Sequence, residues 1–202
     1  MINETVLNKY VKTIDGMQVV QMDDVRKLSS EINCSIRHTE LMLLNNSIIP
    51  YRYCRNVRML EFGIEGQKKL LQAKVCVVGC GGTGGYIIEL LARLGIGALV
   101  VVDGDVFDES NLNRQILCTE RQLGLNKAEI AKARVKEINS AVDIKAYSEY
   151  LTDKNANELI KGCHIVIDAV DDVNTRLIME TACNKIGVKL IHGTIGNSVL
   201  RD

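Results

Sequence analysis

Residues 74–85, KVCVVGCGGTGG, constrain what this 202-residue chain can fold into more than any other stretch. Val75, Cys76, Val77 and Val78 have no polar face to turn to water, which is the pattern of a strand in the middle of a parallel sheet. Gly79, Gly81, Gly82 and Gly84 follow, and residues 86–94 then carry Ile87, Leu91 and Leu94 at helical spacing. A strand therefore turns into a helix through a cluster of glycines. A helix start offers unpaired N–H groups and a partial positive charge, and glycine removes the Cβ that would hold a phosphate away. The predicted ligand is a nucleotide, cradled by Gly79, Gly81, Gly82 and Gly84. A bare G-x-G-x-x-G is weak, and a plain glycine turn is its competing meaning; here the strand before and the helix after supply the context.

The apolar run 98–102 reads as the second strand of a β-α-β unit and ends at Asp103, nineteen residues beyond Gly84. That is close to the spacing at which a carboxylate accepts from both ribose hydroxyls. Capping of the following turn competes for Asp103, and Asp105 can share either job. Next comes DESNLNRQ, 108–115, a polar loop where a simple doubly wound domain would place a helix. Lys127 opens the following helix, 127–139, whose inner face is Ala131, Val135 and Ile138. Arg114 and Lys127 can fold back over the glycine loop, where cations hold the outer phosphates of a triphosphate.

Strands are expected at 143–147, 163–167 and 189–192, with helices at 155–159 and 173–186. Ligands of open parallel sheets gather at the carboxyl ends of strands, so Asp168, Asp171 and Asp172 of DAVDD are expected to face the same crevice as Gly81. One of them is a candidate for Mg2+, which takes one or two carboxylates beside phosphate oxygens and water; helix capping competes for Asp171 or Asp172. His192 reads as a packed strand-end histidine rather than a base, since no partner acid is evident nearby. The fold class is α/β: a Rossmann-like, mostly parallel sheet with helices on both faces.

Residues 1–50 differ in character and form a small helical N-terminal extension to a nucleotide-binding domain at 51–202. Two helical patterns, 25–32 and 37–44, flank a tight turn at 33–35, so a DNA-reading helix-turn-helix is one meaning and a docking piece the other. Against DNA, the second helix offers only Arg37 and His38. Arg52, Arg55 and Arg58 read as a solvated basic face, and residues 65–73 as an amphipathic helix anchored by Leu70 and Leu71. Twenty-five basic residues balance twenty-five acidic ones, so no overall field favours nucleic acid or an anionic membrane. No segment reads as a membrane span or signal peptide. Seven cysteines without a C-x-x-C pair fit a reducing, cytoplasmic setting and do not support a zinc site.

With GCGGTG, VVDGD, SNLNRQ, LGLNKAE and DAVDD in one order, residues 51–202 resemble the ThiF/MoeB/HesA family, bacterial relatives of ubiquitin-activating enzymes. The resemblance implies an adenylyltransferase that uses ATP and Mg2+ to activate the C-terminal glycine of a ubiquitin-like sulfur carrier protein ending in Gly-Gly, in thiamine or molybdopterin type sulfur transfer. It implies that Asp103 holds the ribose, that Asn111, Arg114 and Lys127 contact phosphates, and that Asp171 binds the metal. Arg55 matches an arginine that reaches into a neighbouring subunit's site, so Arg55, Arg114, Lys127 and Asp171 are the expected chemical machinery and a homodimer is implied. Family members commonly continue into further strands, a zinc site of two C-x-x-C pairs and a sulfur-transfer cysteine. A fragment or a short form is therefore expected, and no cysteine here is assigned those roles.

The same residues admit four other readings. An NAD-dependent dehydrogenase shares the glycine loop and the acid but has no use for SNLNRQ followed by Lys127. An ATP-dependent tRNA threonylcarbamoyladenosine dehydratase shares the signature, and would call for a basic tRNA surface. A nucleotide-sensing regulator would bind DNA through the prefix. A pseudoenzyme would keep the pocket without the chemistry.

Overall fold

The apolar run that begins at Lys74 is the central strand of a five-stranded sheet in a computed structural model that describes residues 4–193. In chain order the prefix supplies α1 (Glu4–Asn8), β1 (Lys12–Ile14), β2 (Met17–Val20), α2 (Met22–Glu31), α3 (Ile36–Asn45) and β3 (Ile49–Pro50). The two expected helices are present as α2 and α3. The prefix also holds a three-stranded sheet that a purely helical extension does not include. Its hairpin turns at Asp15 and Gly16, both at positive φ (48° and 75°), a pairing that suits a tight two-residue connection. The Asp-Gly dipeptide was the available signal, and three- and four-residue strands gave too little alternation to register beside it.

After α4 (Cys54–Val57) and α5 (Gly63–Gln72), the main unit runs β4 (Lys74–Val78), α6 (Gly82–Leu94), β5 (Ala98–Val102), α7 (Lys127–Ile138), β6 (Asp143–Tyr147), α8 (Ala156–Ile160), β7 (Ile165–Asp168), α9 (Val173–Ile186) and β8 (Lys189–His192). The part of the 51–202 unit from Thr194 on lies outside the described residues. The strand order is β6-β5-β4-β7-β8 and every pairing is parallel. Side chains alternate across the central strands. Val75, Val77, Leu99 and Val101 pack on Ile88 and Ala92 of α6 and on Ala131 and Val135 of α7. Cys76, Val78, Val100 and Val102 pack on Leu159 and Ile160 of α8 and on Met179 and Cys183 of α9. Both faces are covered, which is why β4 from Val75 on and all of β5 need to be apolar. Strand order reverses between β4 and β7, and a crevice opens at their carboxyl ends.

The prefix is joined to the main unit by an apolar cluster, in which Leu44 of α3 packs with Tyr53 and Leu71, and by polar contacts. Arg37 of α3 donates to the Gly97 carbonyl at 2.8 Å, so the helix that would read DNA turns one of its two candidate contacts inward. Arg52 does not belong to a solvated basic face: its guanidinium donates to the Asn139 side chain at the end of α7 and lies 4.0 Å from Glu40. Arg55 and Arg58 are exposed, as expected.

Candidate functional site

The glycine loop is shaped by two backbone approaches. Gly79 has φ +93°, and a Cβ there would lie 2.6 Å from the Ala169 carbonyl oxygen of the segment after β7. Gly84 sits one turn into α6, where a Cβ would fall 1.8 Å from the Gly79 oxygen. These two glycines let α6 start directly on top of the β4 tip. Gly81 is the N-cap of α6, and Gly82 has nothing within 4 Å of a Cβ, so its backbone faces open space. Gly84→Ala should therefore destabilise by about 3 kcal/mol or more through overpacking against backbone, whereas Gly82→Ala should leave the melting temperature within a degree or two, roughly. Thermal unfolding of both variants checks the division, and equal melting points would contradict it.

The open space is a crevice of about 670 Å³ at the β4/β7 strand ends. Its lining brings together Gly79, Gly81, Gly82, Asp103, Asp105, Arg114, Lys127 and Asp171 from the candidate set. Asp103 at the β5 tip accepts the Cys80 N–H at 2.7 Å and the Asp105 N–H at 2.9 Å, so it ties the glycine loop down and caps its own turn. Burial pushes its carboxyl above the ordinary value, against the pull of those two N–H groups. Asp105 accepts from the Tyr150 hydroxyl and lies 3.3 Å from Lys127 Nζ; the tyrosine first, then the lysine, hold it below the ordinary range. Lys127 is buried at the start of α7, which Asn126 caps by accepting from Ala128 and Glu129. Arg114 is exposed and bonded to the Ser110 carbonyl and Asn113, a side chain resting on its own loop at the crevice edge.

Of the remaining candidates, Gly84, Asn111, Arg55 and Asp168 are outside that lining. Gly84 is outside the lining and serves the close packing just described. Asn111 is also outside it: buried, it forms a capping box with Asp108 that closes the loop turn at 109–111. Arg55 stands on α4, away from this crevice. Asp171 and Asp172 line the crevice, and Asp172 caps α9 by accepting the Thr175 N–H at 2.7 Å. Asp168 does not face the crevice. It is fully buried between Arg176 Nε at 3.2 Å and His192 Nδ1 at 2.8 Å. His192 thus has the partner acid the sequence did not reveal, with Glu180 at 3.6 Å from its other nitrogen, and its side chain is half exposed rather than packed.

Reasoning from motifs also passed over Gln115, Tyr150, Leu151 and Arg176, all in the lining. Tyr150 and Leu151 follow the tip of β6, where the strand-end rule holds as it does at β5 and β7. For a metal, Asp171 makes no hydrogen bond among the described residues and faces the crevice, yet no cluster of three or more His, Cys, Asp or Glu side chains able to hold an ion is present among them. The donor set fits Mg2+ held jointly with phosphate oxygens and not a cage made by protein alone. None of the helices in the described residues is long and apolar enough to cross a membrane.

Comparison with known proteins agrees with this architecture. The SAMP-activating enzyme E1 of Haloferax volcanii is 41% identical over 144 residues, covering 71% of this chain and 53% of that protein. The mouse adenylyltransferase and sulfurtransferase MOCS3 is 42% identical over 140 residues, covering 69% of this chain and 30% of its own. The chain thus spans at most about half the length of these relatives. Among solved structures, the E. coli tRNA N6-threonylcarbamoyladenosine dehydratase TcdA in complex with ATP superposes with a TM-score of 0.69 at 31% identity, covering 74% of this chain and 61% of that one. The model of the ThiF family matches residues 53–198, and with more than half of its length so matched the chain belongs to that family.

Proposed function

We propose that the crevice binds ATP and that the protein adenylates the C-terminal glycine of a ubiquitin-like sulfur carrier ending in Gly-Gly. The observation that carries this is the convergence on one crevice of an open helix start at Gly82, two cations, Arg114 and Lys127, and two acids, Asp103 and Asp171. Asp103 takes the ribose, the N–H groups at the start of α6 and the two cations take the phosphates, and Asp171 is the residue that would hold Mg2+. Bound there, Mg2+ would neutralise charge on the phosphates. A carboxylate oxygen of the carrier attacks the α-phosphorus; the new P–O bond forms as the bond to the β-phosphate breaks, and pyrophosphate leaves with that electron pair. No strong base is needed, because the nucleophile is already an anion; what the site must supply is positive charge where negative charge gathers.

Arg55, exposed on α4, would complete a neighbouring subunit's site in a homodimer. The sulfur pathway would be of the thiamine or molybdopterin type, in the cytoplasm. The similarity to MOCS3 and to the SAMP-activating enzyme supports a carrier as substrate. The likeness to TcdA supports a second reading, a tRNA dehydratase that also begins with ATP. Exchange of labelled pyrophosphate into ATP separates the two. Exchange that depends on a carrier ending in Gly-Gly is expected, and its absence with a carrier, together with ATP turnover on tRNA, would favour the second.

A further inference from the structure

The loop after β6 reaches across to the loop after β5. Asp105 uses both carboxylate oxygens, one for the Tyr150 hydroxyl and one for Lys127 Nζ at 3.3 Å. The lysine contact is long for a charge-assisted bond, and among the described residues Nζ has no other hydrogen-bond partner. The surrounding backbone is held independently. Lys127 N–H donates to the Asp105 carbonyl at 2.9 Å, Asn126 donates to the carbonyls of Asp103 and Asp105 at 3.0 Å, and Ser148 donates to Asn126 at 2.9 Å. Only the lysine side chain is left free to change partner. The Tyr150 ring lies against Gly104 so closely that a Cβ there would come within 2.7 Å of it, while the residue as a whole remains exposed.

We propose that Tyr150 is a positioning residue for Lys127, keeping the Asp105 carboxylate satisfied when the lysine leaves it for a nucleotide phosphate. This rests on the nucleotide reading of the crevice. Giving up Lys127, its only ion-pair partner among the described residues, costs the half-exposed Asp105 carboxylate stabilisation that water restores only in part. A hydroxyl that stays behind lowers that cost, so the cation is shared between Asp105 and the phosphate rather than locked to the first.

The test is calorimetric titration of ATP and of adenosine into the wild-type chain, Tyr150→Phe, Asp105→Asn and the double variant. Phenylalanine keeps the ring on Gly104 and removes only the donor. Tyr150→Phe is expected to weaken ATP about tenfold and to leave adenosine within about twofold, since adenosine has no phosphate to draw the lysine. In the Asp105→Asn background the same change should alter ATP affinity by less than about twofold, because the carboxylate it serves is gone. Unchanged ATP affinity in Tyr150→Phe, or equal loss of both ligands, overturns the tyrosine's role and leaves the nucleotide reading standing. A wild-type chain that binds neither ligand overturns both.

Discussion

Replacing Lys127 with alanine is expected to reduce carrier-dependent pyrophosphate exchange about a hundredfold or more, the usual consequence of removing one preorganised donor aimed at developing charge. Lys127 is buried at the first turn of α7, with its ammonium inside the crevice and 3.3 Å from Asp105. A cation in that position acts through a lower effective dielectric than one in water, so its attraction for a leaving pyrophosphate is large. The fold should survive. Asp105 keeps its tyrosine donor and is half exposed, so the stranded carboxylate can be solvated. The helix start is held by Asn126, not by the lysine side chain. A variant that melts close to the wild type and exchanges pyrophosphate within a few-fold of it would show that the lysine is an ordinary partner of Asp105. The role given to the crevice cations would then be wrong.

The parts of this protein that could be read from sequence are those where local pattern and chemistry coincide. The 74–85 stretch declared a strand, a turn and a helix start in one run, and the parallel sheet with its crevice at the strand tips followed from it. The position of Asp103 in the crevice lining is legible because the spacing from a glycine loop to the next strand end is set by one β-α-β unit. The reading failed where a side chain's fate depends on elements far apart in sequence. Asp168 looks like its neighbours in DAVDD, but β7 is flanked by α9 and β8, and Arg176 and His192 from those elements draw it inward. Asn111 is a local case: within its polar signature it closes a cap with Asp108 three residues before it. Tyr150 belongs to no motif, and only the adjacency of the β5 and β6 tips gives it a partner.

The same dependence on distant partners governs the second large effect, at Glu40 in the prefix. Glu40→Gln is expected to stabilise the protein by roughly 3 kcal/mol above pH 7 and to do little near pH 4.5. Glu40 of α3 is fully buried; one oxygen accepts from the Tyr53 hydroxyl at 3.2 Å, and the other has no hydrogen-bond partner among the described residues. Arg52 Nε stands 4.0 Å away, and Asn139 at the end of α7 donates to Tyr53 from behind at 3.1 Å. Burial raises the Glu40 carboxyl from 4.5 to about 7, with Arg52 and Tyr53 opposing it only in part. In that window the native state holds a proton that the unfolded chain has released, so stability falls as pH rises from 4.5 to 7 and the penalty is complete above it. Glutamine removes the charge and keeps the shape, so the wild-type decline should be absent from the variant. Melting curves across that range should diverge by about 6 to 12 °C at the alkaline end and meet at the acid end. A constant offset between the two curves at every pH would instead mean that packing, and not the proton, sets the cost of burying this carboxyl beside Tyr53 and Arg52.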